Sequence, residues 1–287
     1  MRILCFGKSG LVASELQQWL PELNSDELKF LSRQDCDITN ASQVESAINE
    51  FKPSHVINAA AYTAVDAAED DTHQCNLVNG FALEGIAKAV NKVGAILIHF
   101  STDYVFNGKQ VGSYEEDDIP CPINIYGKSK LLGEELIQKH IVNYYILRVQ
   151  WVYGHANSNF VDAIIKKAKS GEDLQVINDQ YGSPTSAEVI AKAVVNLITN
   201  HPAFGVYNFR TLNQTTWYDF ASYILDYLNL KVSISPVGSE VYKTKAKRPK
   251  NSVMNIGKWI YSDLYTPPSW KVAVENYLNQ KKEIKES

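Results

Sequence analysis

Residues 95–106 read Ala95-Ile96-Leu97-Ile98-His99-Phe100-Ser101-Thr102-Asp103-Tyr104-Val105-Phe106, and residues 123–135 read INIYGKSKLLGEE. The first stretch opens on an apolar run short enough for a buried strand and closes on two hydroxyls and a carboxylate, Ser101-Thr102-Asp103. The second reads as a helix on which Tyr126 and Lys130, four residues apart, lie one above the other on a single face. A hydroxyl at the carboxyl end of a buried parallel strand sits where open α/β sheets bind ligands. A free phenol titrates near ~10 and exchanges a proton at neutral pH only with help. A neighbouring cation is such help, because it favours the phenolate. The two stretches together describe a candidate proton relay at the end of a strand.

Toward the N-terminus, the apolar run Ile3–Phe6 passes straight into Gly7-Lys8-Ser9-Gly10-Leu11-Val12-Ala13, with Leu16, Trp19 and Leu20 spaced as a helix face behind it. Strand, glycine turn and helix is the context in which backbone N–H groups cradle a pyrophosphate. Ala13 stands at the last fingerprint position, still small enough for close helix–strand packing. Gly7, Ser9, Gly10, Leu11 and Val12 are therefore candidate cofactor residues. Leu28–Leu31 reads as the second strand and runs into Ser32-Arg33, at the strand end that faces the adenosine ribose. An arginine there accommodates a 2′-phosphate, which favours NADPH over NADH, although Asp35 and Asp37 stand nearby. Asp37-Ile38 is a candidate wall for the adenine ring. His55–Asn58 reads as a third strand that opens into Ala59-Ala60-Ala61-Tyr62, where small side chains let a flat ligand approach the backbone.

The rest of the chain sets the architecture. Residues 76–90 carry Leu77, Val78, Phe81, Ile86 and Val90 at helical spacing, predicting one long helix with these side chains on the sheet. Tyr144–Val149 is another strand. Strands alternating with helices imply right-handed βαβ units and a parallel sheet. Beyond Trp151 the texture changes to helix 160–169, the run Leu174–Ile177, and NDQYGSPT over residues 178–185. Residues 187–198 read as a helix and Gly205–Phe209 as a strand; this pair is expected to return to the first unit. Thr216 is placed as the N-cap of a helix over 217–228, residues 243–251 form a basic loop, and 269–280 a final helix. The predicted fold is α/β, a Rossmann-type doubly wound parallel sheet over residues 1–150 rejoined by about 186–210. A smaller mixed α/β substrate domain occupies most of 151–287. The Lys8–Ser9 turn, the basic loop and NDQYG are expected to face one cleft.

Composition narrows the function. The chain has 287 residues, 45% hydrophobic and 21% charged, with formal net charge −4, ordinary values for a globular protein. Nothing resembles the concentrated basic face that nucleic acid demands. No apolar stretch approaches the ~18 residues of a membrane span. The four cysteines and six histidines are scattered without metal-ligand spacing. The thiols read as reduced, pointing to the cytoplasm.

The segments FGKSG, NAAAYTAVD (58–66), STDYVFNG, YGKSKLLGE, RVQWVYG (148–154), INDQYGSPT and KRPKNS (247–252) resemble the dTDP-4-dehydrorhamnose reductase family of the extended short-chain dehydrogenase/reductases. The resemblance runs from Met1 to about Gln280. The glycine turn and Tyr-x-x-x-Lys are common to the whole superfamily, whereas STDYVF, NDQYG and KRP-x-NS are narrower. It implies reduction by NAD(P)H of the C4 keto group of a 4-keto-6-deoxyhexose carried on a nucleoside diphosphate. Thr102 then holds the keto oxygen, Tyr126 donates the proton, and Lys130 bonds the nicotinamide ribose and lowers the phenol's pKa. Ser101 joins the cofactor set. Val65, Asp103, Tyr104 and Trp151 are implied to line the sugar pocket, and Arg248 to meet the diphosphate bidentately. Some members dimerise through Mg²⁺ held by C-terminal carboxylates. Glu188 matches such a position, but the last helix offers Glu275 and then Asn276, Asn279 and Gln280, so no metal is expected, and the chain is a monomer or homodimer. Dehydratases on this scaffold carry an acid after Thr-Asp, where this chain has Tyr104. Remaining alternatives are a 4-ketoreductase of the 6-deoxytalose type and a non-catalytic relative, the regulatory subunit of methionine adenosyltransferase. The latter carries residues before its first strand, which here begins at about Arg2.

Overall fold

The computed structural model describes residues 1–23 and 27–286. Its centre is a six-stranded sheet built from β1 (Arg2–Phe6), β2 (Glu27–Leu31), β3 (His55–Asn58), β4 (Ile96–Thr102), β5 (Tyr144–Val149) and β6 (Gly205–Asn208). The strands lie in the order β2-β1-β3-β4-β5-β6, every neighbouring pair parallel. Strand order reverses between β1 and β3, and ligands of such sheets bind outside the carboxyl ends at that reversal.

The helices are α1 (Leu11–Trp19), α2 (Ala41–Phe51), α3 (Ala82–Lys92), α4 (Ile125–His140), α5 (Phe160–Lys169), α6 (Ala187–Asn200), α7 (Trp217–Tyr227) and α8 (Trp270–Glu286). Side chains alternate across each strand. In β1, Ile3 and Cys5 pack with α1 and α6 on one face, while Leu4 and Phe6 pack with α2, α3 and α4 on the other. Both faces are covered, which is why the strands read as unbroken apolar runs. A third cluster, built from Tyr153, Phe220, Trp270, Val274 and their neighbours, joins α5, α7 and α8 to the parallel pair Leu174–Ile177 and Ile234–Val237. Thr216 caps α7, its Oγ1 accepting Asp219 N–H at 3.0 Å. Among the described residues no helix is long and apolar enough to cross a membrane.

The expected unbroken helix over 76–90 is interrupted. A short helix, Thr72–Asn76, runs through a π-turn at Leu77–Phe81 before α3 begins. The wider turn rotates the following side chains off the simple helical pattern, and Phe81, expected on the sheet, is 57% exposed. Asn79 faces inward: its Oδ1 accepts Tyr62 N–H at 2.8 Å and its Nδ2 donates to Tyr62 O at 2.9 Å. The turn thus positions the loop after β3.

Helix α4 is clamped to the sheet by a buried ion pair. Arg148 Nη2 of β5 lies 2.7 Å from Glu134 Oε2, with the side chains 4% and 0% exposed. Removing one partner of such a pair strands a charge in the interior and costs about 3–5 kcal/mol. Glu134→Gln and Arg148→Met should each lower the urea midpoint accordingly. The double substitution Glu134→Leu/Arg148→Met should recover most of that loss, since well-packed apolar replacement of a buried pair is often neutral.

Candidate active site

The turn after β1, the loop after β3 and the residues after β2 surround a cavity of about 420 Å³ lined by Gly7, Ser9, Gly10, Arg33, Asp37, Ile38, Ala59, Ala60, Ala61 and Tyr62, with Cys36, Gln74, Val78 and Asn157. Gly7 has φ +92°, and a Cβ there would fall 2.5 Å from Ala60 N, so only glycine lets the two loops approach this closely. Helix α1 begins at Gly10 with no side-chain cap, leaving its first N–H groups for an anion. These features fit a dinucleotide: N–H groups for a pyrophosphate and a floor of alanines for a flat ring. Leu11, Val12, Ser32, Ser101, Tyr126 and Lys130 do not line the cavity. Ser32 donates N–H and Oγ–H to Asp35 Oδ2 at 2.8 and 2.7 Å, and that hydrogen bonding holds the Asp35 carboxyl below the usual range. Ser101 Oγ is buried with no partner among the described residues. Arg33 is 75% exposed and its Nε donates to Asp37 Oδ2 at 3.2 Å, within reach of the ribose end.

Thr102 ends β4, and Asn124 caps α4 by accepting Gly127 N–H at 2.7 Å. The helix start is fixed from two further sides, by Asn124 Nδ2 donating to Lys247 O at 2.8 Å and Ile125 N–H donating to Glu69 Oε1 at 2.8 Å. A Cβ on Gly127 would meet Tyr104 O at 2.2 Å, so glycine brings α4 against the turn that follows Thr102. Thr102 Oγ1 donates to Asp103 Oδ1 at 3.1 Å and accepts Tyr104 N–H at 3.2 Å. Burial pushes the Tyr126 phenol well above its ordinary value; a hydrogen bond with Thr102 opposes the rise and the Asp103 charge adds to it. Burial likewise lifts the Asp103 carboxyl to about 7. Lys130 Nζ donates to Phe100 O at 2.6 Å and lies 3.2 Å from His99 Nε2. Burial brings it down to about 8. Desolvation is the leading cause of the phenol's rise, and the lysine's contacts run to β4.

A second cavity, about 730 Å³, opens on the other side of Tyr104 and is lined by Tyr104, Phe160, Gln180, Trp217, Tyr242 and Arg248, with Lys167, Lys247 and Lys250 among its cations. Tyr104 meets Tyr126 edge-on, ring centroids 6.0 Å apart, and so links this cavity to the catalytic set. The basic loop and Gln180 share it, whereas Ser9 lines the dinucleotide cavity; the single cleft expected for all three is two. Val65 lies outside its lining. Trp151 also lies outside it, at φ 47°, stacked on Trp217 with centroids 3.7 Å apart; Trp217 is the ring that faces the cavity. The Arg248 fork is engaged by Asp66, Nη2 to Oδ2 at 2.8 Å and Nη1 to Oδ1 at 3.2 Å, so a diphosphate has to share or displace that carboxylate. Trp217, His99 and Asp66 carried no separable signal in sequence, because each earns its place by contact with a distant residue. Among the described residues no group of three or more His, Cys, Asp or Glu can hold a metal; Glu188 instead bonds Lys192 and Gln280.

A doubly wound parallel sheet with a cavity at its switch point, and a threonine, a tyrosine and a lysine gathered where β4 joins α4, is the arrangement of an extended short-chain dehydrogenase/reductase. Residues 1–283 match the family model described as RmlD substrate binding domain. The dTDP-4-dehydrorhamnose reductase of Shigella flexneri is 39% identical, the match covering 98% of both chains. The spore coat polysaccharide biosynthesis protein SpsK of Bacillus subtilis is 36% identical with the same coverage. Among solved structures, dTDP-4-dehydrorhamnose reductase from Bacillus anthracis in complex with NADP superposes with TM-score 0.94 at 34% identity, over 97% of this chain and 99% of that one. The chain belongs to the dTDP-4-dehydrorhamnose reductase family of nicotinamide-dependent oxidoreductases.

Arg33 lines the cavity just beyond β2, where a 2′-phosphate would need a cation, so Arg33→Ala should raise the Kd for NADPH more than that for NADH. Fluorescence titration of both cofactors checks this, and an unchanged ratio would remove Arg33 from 2′-phosphate recognition.

Proposed function

We propose that the protein reduces the C4 keto group of dTDP-4-dehydro-L-rhamnose to dTDP-L-rhamnose, using NADPH. The observation that carries this reading is the meeting of Thr102, Tyr126 and Lys130 where β4 joins α4, in a chain that also holds a cavity that fits a dinucleotide and a cation-rimmed cavity that suits a nucleoside diphosphate. Gly7, Gly10 and the alanine floor would hold NADPH, which when bound supplies the hydride. Negative charge develops on the C4 oxygen as the carbonyl is reduced. The Thr102 hydroxyl, at the strand end, would turn its one proton from Asp103 Oδ1 to donate a hydrogen bond to that oxygen. The Tyr126 phenol then protonates it. Its raised pKa keeps it in the donor form throughout the neutral range, the form a reductase needs. Lys130, as ammonium, would favour the phenolate left behind and would bond the nicotinamide ribose. Lys167, Lys247, Lys250 and Arg248 give the diphosphate its counter-charges.

NADPH consumption with freshly generated dTDP-4-dehydro-L-rhamnose, followed by absorbance and with the product identified by NMR, tests the reading. dTDP-L-rhamnose supports it; a 6-deoxytalose product assigns the opposite C4 epimer, and binding without consumption overturns it. Tyr126→Phe should lower kcat by about 10²–10⁴-fold, the usual worth of a positioned proton donor, while the Kd for NADPH stays at the wild-type value.

A further inference from the structure

His99 touches Lys130 directly and has no part in the reaction as described. It is 1% exposed on β4, opposite Asn58 of β3 in the parallel register. Asn58 Oδ1 accepts Ala60 N–H at 3.2 Å, which turns the Asn58 Nδ2 amino group toward His99 Nδ1, 3.2 Å away. An amide nitrogen only donates, so Nδ1 must accept and carries no proton. A neutral imidazole then bears its proton on Nε2, and that N–H points at Lys130 Nζ, 3.2 Å away. An ammonium has no lone pair to accept it, whereas an amine does. The amine can still donate to Phe100 O at 2.6 Å. All these contacts are satisfied together only when Lys130 is uncharged.

We propose that His99 is a positioning residue for Lys130: fixed by Asn58 as the Nε2–H tautomer, it donates to the Nζ lone pair whenever the lysine is an amine and so shifts the amine–ammonium balance toward the amine. Burial acts in the same direction, keeping His99 well below its ordinary value and bringing Lys130 to about 8. The other ionisable groups that face the lysine oppose it: Glu134, one turn along α4, and Cys75, from the helix before the π-turn, both favour the ammonium. Tyr126 stands one turn earlier on α4, and Arg148 neutralises Glu134 from β5. The catalytic consequence rests on the proton-transfer roles above. Ammonium stabilises the phenolate that turnover leaves, so activity falls as pH rises through the Lys130 value, and a neighbour that donates to the amine sets that limb lower than an acceptor would.

The tautomer is read without any turnover. In whole protein carrying ¹⁵N-histidine, free of ligands at neutral pH, the His99 ring is identified by the resonance lost in His99→Gln. It should show an unprotonated Nδ1 and a protonated Nε2. An Nδ1–H tautomer or an imidazolium overturns the proposal, whether or not the assigned reaction is correct. Asn58→Asp keeps the acceptor for Ala60 N–H but replaces the donor facing His99 by an acceptor. It should flip the tautomer, free Nε2 to accept from an ammonium, and move the basic limb of kcat upward by about one pH unit, a tenfold change in the amine–ammonium ratio. A flipped tautomer with an unmoved limb would sever His99 from Lys130 and overturn the proposal.

Discussion

The buried Glu134–Arg148 pair is the constraint on which the catalytic geometry depends. Tyr126, Lys130 and Glu134 succeed one another at four-residue spacing on one face of α4, so fixing the carboxylate fixes the two residues above it. Arg148 is held on several sides: Nε and Nη2 on Glu134, Nη1 on Glu116 O at 3.1 Å, and the guanidinium 5.2 Å from the centroid of the Phe106 ring. Taking two charges out of water is expensive, and an apolar contact of the same volume would hold the helix more cheaply. What the ion pair adds is direction. A bidentate fork accepts one rotation and one depth of the helix, where interlocked leucines would tolerate a slide.

That rotation matters because the reactive groups sit within hydrogen-bonding distance of strand ends. The lysine reaches the Phe100 carbonyl, two residues before Thr102, and the glycine at 127 lets the helix rest against Tyr104. The same strand therefore supplies the Thr102 hydroxyl and the carbonyl that positions the lysine. A shift of α4 by a fraction of a turn would separate the phenol from Thr102 and the lysine from β4 at once. The chemistry is a property of one strand–helix junction, and the remainder of the sheet keeps that junction dry and fixed.

Those parts of this design that are local were legible in the sequence. The glycine turn, the hydroxyls at the end of β4, the Tyr–Lys spacing and the Thr216 cap each depend on a few adjacent residues and the period of one element. The parts that were not legible are pairings between distant segments. Arg248 reads as a free cation until Asp66, 182 residues away, is seen to occupy it. Trp151 reads as a pocket wall until its stack with Trp217 leaves the second ring facing the cavity. Phe81 reads as core because a 3.6-residue period was assumed across a turn that is wider. His99 reads as one more residue in a buried strand, and its meaning comes from Asn58 on the next strand, which decides where its proton lies.

The Asp66–Arg248 contact shows how such a pairing couples the two cavities. Asp66 follows the alanine loop that floors the dinucleotide cavity, and Arg248 belongs to the basic loop of the other; Ala246 N–H also donates to Asp66 Oδ1 at 3.1 Å. Arg248 additionally supports the Tyr104 hydroxyl, whose ring touches Tyr126. The Arg248–Asp66 ion pair ties the basic loop to the loop after β3. The carboxylate partner is half-exposed, so its attraction is screened.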